Sequence, residues 1–503
     1  MKSLIKIFSF LLFLTPLFPQ HLYEEQIIPF DGRENDFFGT AVAVSDSFLF
    51  VSSLRYSNTV ENAVYVYRWR GNNIEFAYKI HPSDGQPGVS GLLFGRKLLY
   101  SDGQLFVGAR YRKVNNIPVG AVYLFEYENY VWVEKQIIIP PEPHTINGFF
   151  SNSISKYNDN LLIGADCYNS GNYRSGKVFL YKFTNGNYEL YQEFAPFDGK
   201  DYQFCGTSVE IKENIILIGS ENDNTGSGLG SGSVYVYTKE DLIWTFSRKY
   251  LPEENSENLA YGSSMALNDD YVFVGTTDNP FYFKPGKVYI YNYSEAVLDL
   301  AQIIETGDNY YDDRFGIQLY AKGDSLLVSA LFDSVKNDYP GAAYLFVYKE
   351  GEWRRRHKIF PSDEQDAHWF SLRCALSDNL IVVGAPVSKY NGIFTGKIYL
   401  YTSSPVSVIE EDVFEVKGFY LSQNYPNPFN PTTKIRYSLP GSEIVQIKVF
   451  DVLGKEIKTL LNEYKQTGTY EIEFDASNLT SGVYFYQLSA GIFVETKKMI
   501  LLR

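Results

Sequence analysis

The sequence predicts an all-β protein: a closed ring of seven four-stranded units, then a small two-sheet sandwich. Three observations predict it. Aromatic residues make up 17% of the 503, with 42 Tyr and 37 Phe against 3 Met, a skew toward side chains that strands favour. One short pattern recurs seven times at nearly constant spacing, and a second set of strand-like runs with a different composition follows the last copy.

The chain opens with Lys2 and Lys6 around apolar Ile7–Leu14, the form of a secretory signal peptide over residues 1–20. The stretch before His21 lacks a small-x-small pattern, so no cut is assigned, and no Cys stands near to take a lipid. No later run reaches eighteen apolar residues, so no transmembrane segment is expected in the mature chain.

The repeat is anchored on Phe38-Gly39, Phe94-Gly95, Phe150-Ser151, Cys205-Gly206, Tyr261-Gly262, Phe315-Gly316 and Phe370-Ser371, at steps of 56, 56, 55, 56, 54 and 55 residues. Each copy reads as four short strands. The first ends in a turn such as Asp102-Gly103 or Asn268-Asp269, chemistry suited to tight hairpins. The second is an apolar run ending in small residues, as in Leu105–Ala109 and Leu161–Ala165, which suits a strand buried on both faces. The third alternates after a glycine, as in Gly120–Leu124 and Gly396–Tyr401, and the fourth ends at a proline turn, as in Trp132–Pro140.

Four-stranded units repeated seven times suit a seven-bladed β-propeller, whose radial packing buries both faces of each blade. An open solenoid is the competing arrangement. The seventh copy stops after Ile398–Tyr401, while Tyr23–Asp31 resembles Arg355–Asp363. An N-terminal strand that completes the last blade closes the ring and removes two exposed edges. The propeller is therefore placed at residues 21–403.

On these residues the repeat resembles the FG-GAP family, found in integrin α heads and in exported bacterial proteins. The matching positions are the Phe-Gly anchors at 38–39, 94–95 and 315–316 and the Gly-Ala endings at 108–109, 164–165 and 384–385. Calcium-binding members carry an Asp-x-Asp-x-Asp-Gly loop between the first two strands. Here that connection is a tight turn with one or two acids, too few oxygens for a hard cation. No metal site is assigned.

After a linker at 404–418 the last segment, 419–503, predicts a small Ig-like β-sandwich. It carries Asn424-Tyr425-Pro426-Asn427-Pro428-Phe429-Asn430-Pro431, Val449–Lys455 with Gly454, Leu479–Tyr484 with Gly482, and Lys497-Lys498-Met499. This tail resembles the C-terminal sorting domain of the type IX secretion system. The resemblance implies export to the surface or exterior of a diderm bacterium, with the translocon and its sorting peptidase as partners.

The net charge of −14 argues against a nucleic-acid partner, which wants a basic stripe. Cys167, Cys205 and Cys374 are odd in number and read as buried small hydrophobes, though their spacing leaves one disulfide open. The five histidines, including His144, His357 and His368, form no ligand pair. Gly226-x-Gly228-x-Gly230 joins two strands and reads as a hairpin loop, and no Gly-x-Ser-x-Gly elbow is present. Asp31, Asp84, Asp198 and Asp363 recur at one repeat position, which favours capping of their own turns over glycoside hydrolysis. No catalytic residue and no cofactor are assigned.

Loop length gives the functional clue. The long second-to-third loops hold Tyr56, Arg110, Tyr111, Arg112, Tyr173, Arg174, Phe281, Tyr282, Tyr339, Tyr390 and Phe394. Loops on a rigid scaffold commonly carry function, and Tyr and Arg are good recognition groups. The expectation is a secreted or surface-attached binding or adhesion module for an extracellular glycan or protein. The alternative is an extracellular polysaccharide hydrolase or lyase using the same face. An acid pair that does not repeat around the ring favours the enzyme, and a broad aromatic face favours binding.

Overall fold

The structure, a computed structural model, describes residues 21–502 except 55–61, 71–72, 85–92, 129, 142–148, 225–229, 253–256, 278–285, 295–296, 308–312, 334–339, 364–365, 406, 410–419, 425, 440–442, 466–467 and 492. The expected signal segment at 1–20 lies outside the described residues, as do Tyr56, His144, Phe281, Tyr282, Tyr339, Tyr425 and Gly226–Gly228. The chain divides into two compact units, with the main break between Ile409 and Glu410. Among the described residues there are strands and no helix, hence no helix able to cross a membrane.

Among the described residues the first unit holds seven sheets of four or more strands, each built on an antiparallel run, besides two short hairpins. The second blade is typical, with strands Phe94–Ser101, Gln104–Ala109, Ala121–Glu128 and Val131–Ile138. The first strand of each sheet packs against that of the next, and Arg373–Leu376 of the last meets Val42–Val44 of the first. The sheets therefore form a closed β-propeller. The second strands are buried along nearly their whole length, as expected for apolar runs with a blade on either side.

One joint is repeated between blades. The anchor amide donates to the carbonyl just before the third-strand glycine of the preceding blade: Phe150 to Val119 (3.2 Å), Cys205 to Ser175 (2.9 Å), Tyr261 to Ser231 (3.0 Å) and Phe370 to Pro340 (2.8 Å). The same bond, Phe38 to Thr395 at 3.0 Å, joins the last blade to the first. A Cβ on Gly176 or Gly396 would lie 2.0 or 2.2 Å from the anchor carbonyl of the next blade, so glycine is required there. The anchor ring itself is fully buried in six of the seven copies.

The last blade is completed from the N-terminus. Tyr23–Ile27 pairs antiparallel with Lys397–Thr402, placing Ile27 opposite Ile398 and Glu25 opposite Leu400. Ile27, Ile398 and Leu400 share one core with Phe38 and Tyr65 of the first blade.

Two details go beyond the expected pattern. Ser407–Ile409, within the expected linker, adds a parallel edge strand to Asn73–Ile80 of the first blade. The recurrent aspartates do more than cap their own turns, where the carboxylates of Asp31 and Asp198 accept from their own amides. Each carboxylate reaches a buried tyrosine of the third strand: Asp31 to Tyr65 (2.8 Å), Asp84 to Tyr123 (2.7 Å), Asp198 to Tyr235 (2.6 Å) and Asp363 to Tyr399 (2.6 Å). A cation completes each clasp, respectively Lys79, Arg112, Lys249 and Lys397. A buried phenol needs a partner, and this one ties the blade-to-blade connection to the blade it enters.

Burial raises the carboxyls of Asp31 and Asp198, but the lysine and tyrosine bonds more than offset it, so both titrate below 3.8. Their contribution to stability is complete above the unfolded value and is lost as pH falls through the lower folded one. Breaking one clasp by Tyr235→Phe removes a bond to a charged acceptor, a loss of about 1.5–3 kcal/mol. Chemical denaturation should read that loss. An unchanged midpoint and slope would refute a structural role for the clasp.

The second unit contains two sheets that share one core. Tyr420–Leu421, Thr432–Leu439 and Gly468–Asp475 form one, and Glu456–Lys465, Glu443–Phe450, Gly482–Ala490 and Phe493–Leu501 the other. Ile435, Tyr437, Ile447, Tyr486, Leu488 and Met499 meet between them. This supports two packed layers on the alternating pattern expected of half-buried strands.

Candidate functional site

Antiparallel order within each blade puts the second-to-third loops and the blade-to-blade connections on one face of the ring. The opposite face carries the tight first-to-second turns. Asp102 and Gly103 both adopt positive φ, 51° and 78°, as a type I′ turn requires. The acids of these turns are taken by lysines of neighbouring blades: Asp102 by Lys156 (2.6 Å), Asp269 by Lys212 and Asp378 by Lys322 (2.8 Å). Among the described residues no three His, Cys, Asp or Glu side chains come together as a metal site would need.

On the loop face the residue before each anchor is held in a left-handed conformation. Phe37, Leu93, Phe149, Phe204, Ala260, Arg314 and Trp369 have φ between 45° and 57°. Strain of this kind persists where the surrounding structure enforces it, here the anchor joint on the next residue.

Several expected loop residues gather here. The Arg110 guanidinium stacks over Phe149 at 4.0 Å, and Tyr111 meets the same ring edge-on at 5.1 Å. Tyr173 packs edge-on against Tyr202 at 5.2 Å and lies under Arg174 at 5.4 Å. Tyr390 and Phe394 sit on a two-rung hairpin, with Lys389 over the Phe394 ring at 4.9 Å. Arg112 is different: its Nε donates to Asp84 at 2.8 Å, so it serves a clasp.

The sequence reading missed a charged cluster. Arg110, Asp166 and Glu221 occupy one repeat slot in three successive blades, where other blades have Leu54, Thr277, Leu331 and Pro386. Arg110 lies 3.6 Å from Asp166. Burial pushes Glu221 up to about 7, with Asp166 adding to the shift and Arg110 opposing it. Burial likewise raises Asp166 despite Arg110. Aligning the seven copies slot by slot would have exposed this run, since it breaks the repeat.

A carboxyl raised in the folded state binds more protons than the unfolded chain above its ordinary value. Glu221 therefore makes stability fall as pH rises from 4.5 toward 7. Glu210, pushed up to about 7 by burial, acts in the same sense. His81, brought down to about 4 by burial, acts in the opposite sense over the same range, so the share of Glu221 is read as the difference between parent and variant. In Glu221→Gln the decline toward pH 7 should be shallower. A melting difference between parent and Glu221→Gln that does not change from pH 4.5 to 7 would contradict the assignment.

All three cysteines are buried thiols in no disulfide. Burial pushes Cys167 and Cys374 up to about 12, so neither is poised as a nucleophile.

In the second unit most of the recognisable motif turns out to be structural. Asn424 is buried and donates to Thr433 at 2.9 Å, while its amide donates to Tyr486 at 2.7 Å. Asn427 accepts from the Ile500 amide at 2.8 Å. Phe429 exchanges backbone bonds with Ile500 and Leu502. The Pro426 carbonyl accepts from Asn424 and Thr433 and that of Pro431 from the Ala476 amide, so the stretch that also holds Pro428 and Asn430 is fastened within the domain and to its last strand. Gly454 closes a turn capped by Asp451, whose Oδ1 accepts from Leu453 and Lys455 at 2.9 Å each. Gly482 opens the penultimate strand. Lys497 pairs with Glu495 at 2.9 Å, and Lys498 is exposed beside it.

Comparison with known proteins agrees with both units. Residues 23–67 and 353–401 match the FG-GAP repeat, and residues 423–502 match the secretion system C-terminal sorting domain. Among solved structures the chain is similar to the β-propeller domain of the Trilobed protease from Pyrococcus furiosus, at 13% identity, covering 68% of this chain and 90% of that one, with a TM-score of 0.42. It is also similar to Sqt1 from Chaetomium thermophilum, at 13% identity over 75% of this chain and 88% of that one, TM-score 0.41. The GH74 xyloglucanase from Xanthomonas campestris matches at 12% identity over 75% of this chain and 55% of that one, TM-score 0.40. No curated protein sequence matches the chain.

The protein is thus a β-propeller that carries its own export domain. It is built on FG-GAP repeats and ends in a type IX sorting domain, which addresses it to the cell surface or extracellular space of a diderm bacterium.

Proposed function

We propose that the protein is a secreted or surface-held binding module whose ligand docks on the loop face of the propeller. One observation carries this reading. Phe30, Tyr173, Phe197, Tyr202, Trp369 and Tyr390, all on loops or connections of that face, are between 44% and 66% exposed. Large exposed aromatics on one face of a monomer mark interaction sites, and rigid rings lose little entropy on binding.

The test is a glycan and protein array probed with the full mature chain, followed by titration of the best ligand. Tyr173→Ala and Trp369→Ala should each weaken binding at least about tenfold, roughly 1.4 kcal/mol, with melting unchanged. Parent-like affinity in both variants would sink the proposal.

A polysaccharide hydrolase or lyase is the second reading, favoured by the acid pair Asp166 and Glu221, which does not recur around the ring. It requires shortened chains from a polysaccharide panel, abolished in Glu221→Gln. Retention of glycan without shortened products would support binding instead.

A further inference from the structure

Two residues past each anchor's end lie Ala41, Lys97, Ser153, Ser208, Ser264, Gln318 and Arg373. The serines use this slot to stitch blades. Ser153 donates to the Gly206 carbonyl at 2.7 Å, Ser208 to Gly262 at 2.6 Å, and Ser264 to Gly316. Lys97 and Arg373 take the slot in the second and seventh blades, on either side of the first, where the residue is the small Ala41. Both cations are half-buried at the start of the inner strands, near the loop face.

Their surroundings are unusual for a chain of net charge −14. Burial, with the charges of Arg96 and Arg110 beside it and Cys374 opposing, brings Arg373 down to about 9. Burial and the Arg373 charge bring Lys97 down to about 8, with Glu210 opposing. Arg373 donates through Nη1 to its neighbour's carbonyl, Leu372, at 2.9 Å. The Nε atoms of Arg373 and Arg110 are buried and make no hydrogen bond among the described residues. Asp166 answers one side of Arg110 at 3.6 Å. Crowded guanidinium groups with buried unmet donors are expensive unless an acceptor arrives. An oxyanion meets both needs, because it carries charge and accepts several bonds in the plane of the fork.

We infer that Arg373, Arg110 and Lys97, with Arg96 beside them, form a pocket for the carboxylate or sulfate group of an acidic glycan. The choice of a glycan rests on the binding reading above, whereas the choice of an oxyanion does not. Phe149 under Arg110 and the half-exposed Trp369, four residues before Arg373, supply flat apolar faces of the kind that pack against sugar rings.

The experiment titrates the full mature chain with sodium sulfate and sodium glucuronate by calorimetry at constant ionic strength. One saturable site is expected. Arg373→Met should weaken it at least about tenfold, and Lys97→Met should weaken it as well. Without anion, Arg373→Met should melt at or above the parent temperature, since it relieves repulsion; a lower melting temperature would assign Arg373 a structural role instead. No saturable binding by the parent, or unchanged affinity in both variants, would overturn the pocket. A sulfated or uronate oligosaccharide should then bind more tightly than its neutral counterpart and than oligoglutamate. Preference for oligoglutamate would overturn the glycan assignment. Sulfate binding by a protein that retains no glycan would leave the pocket standing and remove the glycan part of the binding reading.

Discussion

Deleting residues 21–30 behind an intact signal segment should yield aggregated protein and no folded monomer. The deletion removes the outer strand of the last blade, whose register sets Ile27 against Ile398. Ile27 is 0% exposed and packs in the core shared by the last and first blades. Glu24 is also lost, and with it the acceptor for the Tyr401 hydroxyl and the Ser362 amide, each at 3.1 Å. Re-exposing Ile27's partners with one further large aliphatic removes about 3–6 kcal/mol. That is comparable with the roughly 5–15 kcal/mol that holds a typical domain together, and the opened strand edge invites pairing between chains. Deleting Ser407–Ile409 should lower the melting temperature slightly, because that strand adds three rungs to an outer edge. Size-exclusion chromatography and thermal melting check both. A monomeric 21–30 deletion melting at the parent temperature would show that the ring does not depend on this strand.

Removing Phe419–Arg503 should leave the propeller in the periplasm, with the exported fraction falling close to zero. The removed segment includes the whole region matched to the sorting domain. A narrower change makes the same point. Asn424→Ala takes away three side-chain bonds from a buried site: those it donates to Thr433 and to the Pro426 carbonyl at 3.1 Å, and the one it accepts from Gln423 at 2.8 Å. The Pro426 carbonyl keeps the Thr433 hydroxyl, but losing the other bonds from a buried site costs about 1–3 kcal/mol, so the small domain should lose stability and export together. Lys498→Ala, at an exposed position, should leave folding intact and therefore tests recognition separately. Fractionation of expressing cells decides the matter. Equal export of the truncated and full chains would refute the address.

Much of the architecture was legible because it rests on backbone spacing. Anchors 54–56 residues apart mark a unit that hydrogen-bonds within itself, and the incomplete seventh copy pointed to the strand at Tyr23–Ile27. The tail was legible for a similar reason: Asn424, Asn427 and Phe429 are locks whose geometry tolerates few substitutes. The site was harder to read. Arg110, Tyr111, Tyr173, Arg174, Tyr390 and Phe394 do come to the loop face, but Arg112 is held by Asp84. Trp369, Tyr202, Asp166, Glu221 and Arg373 went unnoticed, since each looks ordinary inside its own repeat.

The strands, the period and the closing partner follow from the residues alone, because alternation, tight turns and glycine positions are local properties. Which side chains meet depends on how the blades pack. A propeller brings together residues one or more repeats apart, such as Arg110 and Asp166, or Arg373 and Arg96 more than 270 positions away. Their charges are neutralised, left crowded or raised by burial according to what the neighbouring blade presents. The aspartate clasps make the same point. Within one repeat Asp198 reads as a turn former, and the burial of Tyr235 gives its carboxylate the phenol as a further partner.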